Sequence, residues 1–145
     1  MADSELKKEY LNSYKNLCIK LKSLEEQLQS LREVKQSAKV QKLSDMPTAR
    51  RQSDLSDIMV QIEIIFTKIV NKRSECLRKK IEIENIIADI EDGIESSILR
   101  KRYIEFKTWD EICEDIDYSW RQTHYLHDKA LAHLIIKNIA LNCTL

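Results

Sequence analysis

Only one glycine, Gly93, and one proline, Pro47, occur in 145 residues. Tight reverse turns depend on those two residues, so a sheet of hairpins is excluded and an all-α fold is expected. A single glycine also rules out a glycine-rich phosphate loop. No apolar run approaches the ~20 residues of a membrane span. The start, Met1-Ala2-Asp3-Ser4-Glu5, has no basic flank followed by an apolar core, so a cytoplasmic protein is expected. Four cysteines, Cys18, Cys76, Cys113 and Cys143, lack CxxC spacing. The first three fall on apolar faces of expected helices, as reduced core thiols do.

Charge of one sign is missing too. Lys+Arg and Asp+Glu both number 24, so the basic excess of many nucleic-acid binders is absent. The balance hides a gradient: residues 1–52 hold eleven basic against seven acidic side chains, residues 53–97 six against ten, and residues 98–145 seven against seven. Tight DNA binding by the last third would draw on a dimer, on a basic loop or on a partner already on DNA.

What the chain has is helical periodicity. Tyr10, Tyr14, Leu17, Leu21, Leu24, Leu28 and Leu31 recur at intervals of four and three, a heptad seam on a first helix that runs from Asp3 or Ser4 to about Val34. From Lys35 to Gln52 the pattern fails. That stretch carries Pro47 and five basic residues (Lys35, Lys39, Lys42, Arg50, Arg51) against one acid, Asp45. It reads as a flexible hairpin loop or as a phosphate-contacting arm. Ser53 or Asp54 restarts a helix whose seam is Leu55, Ile58, Ile62, Ile65, Ile69, Cys76, Ile83, Ile86 and Ile90, widened by Phe66, Val70, Leu77 and Ile87. This second helix is long enough to lie antiparallel along the first. Lys72 and Lys79 interrupt the seam, their stems expected to snorkel. Asp92-Gly93 marks a hinge or helix end.

The stretch from Leu99 to Leu134 reads as a helix-turn-helix. One helix stops near Phe106-Lys107, and Thr108 with Glu111 three residues on forms a capping box for the next. That short helix, Trp109 to Ile116, turns Trp109, Ile112, Cys113 and Ile116 inward. Asp117-Tyr118 makes the turn and Ser119 caps a third helix with Thr123, Leu126, Ala130 and Leu134 as its buried seam. The other face carries Trp120, Arg121, Gln122, His124 and Tyr125, with Asp128 a turn later. These are groove-reading residue types: Arg forks onto guanine, Gln onto adenine, and aromatic rings pack on thymine methyls or sugars.

The run Leu99-x-x-Arg102-Tyr103-Ile104, Thr108-Trp109-x-Glu111-Ile112, Tyr118-Ser119-x-Arg121-Gln122, Leu126-His127 and Ala130-Leu131 resembles the fourth region of bacterial sigma factors. It is more similar still to small phage and prophage proteins of Gram-positive bacteria that pair a long helical N-terminal part with one such motif. The motif covers about the last 40 residues. Thr123 stands where that family usually has a branched apolar residue and Cys113 where it often has Ala, so looser core packing is expected.

The resemblance implies a sequence-specific double-stranded DNA-binding transcriptional regulator in a bacterial host cell. Trp120, Arg121, Gln122, His124 and Tyr125 would read bases, while Arg100, Lys101, Lys107, Ser119 and Lys129 would hold phosphates. RNA polymerase is an implied partner, and no segment for opening a promoter is evident. The expected architecture is a long antiparallel helical hairpin or coiled coil, residues 1–92 with the basic loop at about 35–52, followed by a helix-turn-helix domain at 93–145. The long helices suit a homodimer, and hairpins within one chain or a four-helix bundle between two use the same seams. The apolar tail Ile135 to Leu141 would fold back on the small domain or meet a second subunit.

No chemistry competes with binding. His124 and His127 lie three apart, but no other Cys or His pair has ligand spacing, so no metal or other cofactor is expected. No Ser-His-Asp or Cys-His arrangement surrounds a recognisable turn, so no enzyme is expected. Trp109 reads as an interhelical packing residue and His127 as an edge of the core. The rival classes are a phage DNA-packaging adaptor resembling a small terminase subunit, which also joins this motif to oligomerising helices, and a protein-interaction module that has lost DNA binding.

Overall fold

A computed structural model describes the backbone of residues 2–40 and 48–137 and the side chains of residues 3–38 and 54–137. Among these the chain is all helical: α1 Ala2–Val40, α2 Thr48–Ala88, α3 Gly93–Tyr103, α4 Trp109–Ile116 and α5 Trp120–His133. None of the helices is long and apolar enough to cross a membrane. The long helices extend further than their seams predict. Residues 35–40, KQSAKV, contain neither Gly nor Pro and continue α1, and Arg50 and Arg51 already lie in α2. The expected loop at 35–52 is shorter by those residues, and its middle, 41–47 with Pro47, lies outside the described residues, as do residues 138–145 of the apolar tail.

Contacts gather the chain into two compact units, Met1–Leu17 with Cys76–Leu145, and Cys18–Glu75. In the second, Leu28, Ile65 and Ile69 form the core, with Leu21, Leu24, Leu31 and Ile62 packed against it. Phe66, Val70 and Leu77 do not widen this seam: they are 51%, 46% and 58% exposed, because they fall on a neighbouring face of α2. Lys72 is half-buried and reaches Glu75 at 3.0 Å.

In the first unit, Leu11 of α1, Ile83 and Ile87 near the end of α2, and Ile90 just beyond it share one core with Leu99, Tyr103, Ile104, Ala130, Leu131 and Leu134. Ile136 packs against that core and Ile135 is exposed. Each Leu or Ile so enclosed contributes about 1.5–3 kcal/mol. Lys79 lies with its ammonium 5.1 Å from the Tyr10 ring centroid, its stem along the surface as expected of a snorkelling lysine. Lys7 of α1 is buried, yet its Nζ donates to the Leu131 carbonyl at 2.9 Å and pairs with Asp3 at 3.1 Å.

Gly93 does not itself end α2. The helix stops at Ala88, and Asp92 caps α3 by accepting from the backbone N–H groups of Ile94 and Glu95 at 3.0 Å each. Gly93 is then an ordinary first helical residue without positive φ. Asp92→Ala is expected to cost about 1 kcal/mol of stability in a urea melt, while Gly93→Ala, whose new Cβ meets nothing within 4 Å, should not destabilise.

Candidate nucleic-acid interface

α3 packs on both α4 and α5, and α4 packs on α5. Local chemistry sets each boundary. Thr108 Oγ1 accepts from the Glu111 N–H at 3.3 Å while Glu111 Oε2 accepts from the Thr108 N–H at 3.1 Å, the reciprocal capping box. Asp117 ends α4 in the left-handed region at φ 58°, ψ 44°, a conformation Asp tolerates. Ser119 Oγ then accepts from the Gln122 N–H at 3.1 Å and starts α5.

The inner side of α5 is Thr123, His127, Ala130 and Leu131, all buried. Thr123 touches no water, and the Cys113 thiol donates to its Oγ1 at 3.3 Å. Thr123 and Cys113 therefore satisfy each other. Beside them His127 is 4% exposed. With its proton on Nδ1, the ring accepts from the Tyr103 hydroxyl through Nε2 at 2.9 Å. Burial holds His127 at a pKa of about 4, well below the usual imidazole range, and pushes Tyr103 up to about 12.

Of the five residues expected to read bases, four lie together on the open side of α5: Trp120 and Tyr125 are 61% and 63% exposed, and Arg121 and Gln122 are exposed. His124 is placed differently. Its ring sits 4.2 Å from Trp109 and 3.8 Å from Trp120 between centroids, and its Nε2 is buried with no hydrogen-bond partner. Trp109 is half-buried and packs edge-on to His127 as well, at 4.8 Å.

The expected phosphate contacts are scattered and partly engaged. Arg100 pairs with Glu84 at 2.5 Å, which raises its pKa further. Lys101 and Lys107 converge on Asp115 at 3.6 and 2.5 Å, and the Lys107 hydrogen bond lowers the Asp115 pKa. Lys129 lies 5.9 Å from the Tyr125 ring centroid. The Ser119 oxygen is occupied as the cap, which leaves its O–H to donate.

Three residues here make contacts that the sequence pattern did not indicate. Arg102 donates to the Lys107 carbonyl at 3.1 Å with its guanidinium 4.7 Å from the Trp109 ring centroid, fixing the loop between α3 and α4. Phe106 in that loop has φ 58° and stacks on Tyr14 at 5.5 Å, which offsets its strained backbone. Glu95 is buried and bonded to His133 at 2.7 Å. Only the last had a signal, a carboxylate at the position of α3 that periodicity turns inward.

Compared with known proteins, residues 34–135 match the family model described as protein of unknown function (DUF1492). The chain belongs to the DUF1492 family. No curated protein and no solved structure matches it significantly. The DUF1492 match takes in α2 to α5 and every residue of the candidate interface. It leaves out Lys7, Leu11 and Tyr14, which complete the core and the loop contact of this DUF1492 chain.

Proposed function

We propose that this protein is a sequence-specific double-stranded DNA-binding transcriptional regulator of phage or prophage type, acting in the cytoplasm of a bacterial host. In this reading α4 and α5 are the helix-turn-helix, and α5 enters the major groove with its N-terminal turn. The observation that carries it is the sidedness of that turn. Trp120, Arg121, Gln122 and Tyr125 are exposed together on a helix whose opposite side is buried. Arg121 and Gln122 supply the bidentate donors and acceptors of base reading, and Trp120 and Tyr125 supply apolar contact. His124 supports Trp120 from beneath rather than reading a base itself. Lys129, which has no acidic partner among the described residues, is a phosphate contact, with Arg100, Lys101 and Lys107 exchanging an acid for a phosphate. α1 and α2 are the arms of an antiparallel hairpin that pairs two copies, and RNA polymerase is a partner by resemblance to sigma region 4.

Selection from a random duplex pool at moderate salt tests this with wild type, Arg121→Ala and Gln122→Ala in parallel. An enriched motif is expected, with each variant weakening binding about 10- to 100-fold and losing preference at its own base position. Absence of any motif, with wild type binding no better than the variants, would overturn it. The internal pairing of Arg100, Lys101 and Lys107 with acids favours a protein-interaction module as the second reading, and that outcome would select it.

A further inference from the structure

α2 carries a stripe of exposed side chains on a face other than the one that holds Ile65 and Ile69 in the core. Met59, Phe66, Val70 and Leu77 are each about half exposed, and Glu63 and Arg73 are exposed between them. The six residues follow at intervals of four, three, four, three and four, the spacing of a coiled-coil seam. They lie roughly 90° around the helix from Ile62, Ile65 and Ile69, at 3.6 residues per turn. A helix in a four-helix bundle needs neighbours on two adjacent sides in this way.

The pattern is also symmetric about residue 68. Phe66 and Val70 are innermost, Glu63 and Arg73 flank them, and Met59 and Leu77 are outermost. Laid antiparallel on a second α2, Phe66 meets Val70, Glu63 meets Arg73 and Met59 meets Leu77 of the other copy, each contact occurring twice. Laid parallel, Glu63 meets Glu63 and Arg73 meets Arg73. Charge therefore selects both the occupant and its direction: the surface that complements this stripe is the stripe itself, related by a two-fold axis. Arg73 already reaches Glu25 within the chain at 3.2 Å, with both side chains well exposed. An exposed pair of that kind holds Arg73 weakly, and its five donors serve both carboxylates.

We infer that α2, from Met59 to Leu77, is an antiparallel, two-fold dimerisation element closed through this face. The inference rests on the part of the proposed function that pairs two copies, and not on base reading.

Sedimentation equilibrium of the full chain tests it, with circular dichroism at 222 nm reporting that each variant keeps its helices. Glu63→Arg or Arg73→Glu alone sets like charges together in both charged layers, and each should raise the dimer Kd about 100-fold. A one-to-one mixture of the two variants restores opposite charges in every layer and should return the Kd to within about tenfold of wild type. Phe66→Asp should abolish the dimer. A wild type that stays monomeric to roughly 100 μM overturns the inference, as does a dimer that the single swaps leave intact or a mixture that stays dissociated. A monomer that still enriches a single, non-palindromic DNA half-site separates that failure from a failure of base reading by α5.

Discussion

Leu131→Ala is expected to lower the free energy of unfolding by about 2–5 kcal/mol, measured by urea denaturation with an unchanged m value. Leu131 is 1% exposed and shares its core with Leu11, Ile83, Ile87, Leu99 and Tyr103. These neighbours come from three other helices, so no single side chain can slide in to fill the space. The cavity term therefore adds to the lost transfer energy. Against a typical total of about 5–15 kcal/mol, such a loss removes a large share of the fold's stability. Tyr125→Ala, six residues earlier on the open side of the same helix, should change stability by less than about 0.5 kcal/mol. If both variants cost the same, the burial of α5 described above is wrong.

The contrast between those two positions was legible in the sequence, because one helix's periodicity separates its two sides. The same holds for the seam Leu21, Leu24, Leu28 and Leu31, for the capping box at Thr108 and Glu111, and for the cap at Ser119. Each depends on residues within one or two turns. Partners that arrive from elsewhere in the chain were not legible. Leu11 is fully enclosed although it lies outside the heptad seam, because its neighbours include Leu131 and Leu134. Lys7 is buried for the same reason, its ammonium held by a carbonyl 124 residues away.

The candidate site divides along the same line. Trp120, Arg121, Gln122 and Tyr125 were found as the complement of the buried side of α5. His124 was grouped with them by its position on the helix, and only the placement of Trp109 from α4 shows that its ring is sandwiched. The cations were identified by type alone, and whether each faces a carboxylate depends on α2 for Arg100 and on α4 for Lys101 and Lys107. The stripe on α2 is a different case. Phe66, Val70 and Leu77 were visible as apolar residues at helical spacing, but a pattern alone cannot assign two apolar faces to two partners. Exposure separates the face packed within the chain from the one left open.

Acidification from pH 6.5 to about 4 should remove about 3 kcal/mol of stability through His127 alone, at 1.36 kcal/mol per pH unit. In the unfolded chain this imidazole takes a proton near its ordinary pKa of about 6.5, whereas burial in the fold delays protonation to about 4. Between those values the unfolded state binds more protons, so stability is complete above pH 6.5 and falls as pH drops. Tyr103 and Trp109 enclose the ring, and protonation would also turn the acceptor of the Tyr103 hydroxyl into a donor. Carboxylates such as Asp115, whose pKa is lowered by Lys107, add acid sensitivity at the low end, so the wild-type curve by itself does not isolate the histidine. His127→Gln keeps an acceptor within reach and removes the titration. Its urea-derived stability, plotted against pH, should be shallower than wild type by about 1.4 kcal/mol per unit throughout that window. Parallel curves would mean that the ring takes its proton in place, and that the core beneath α5 opens to water far more readily than its packing implies.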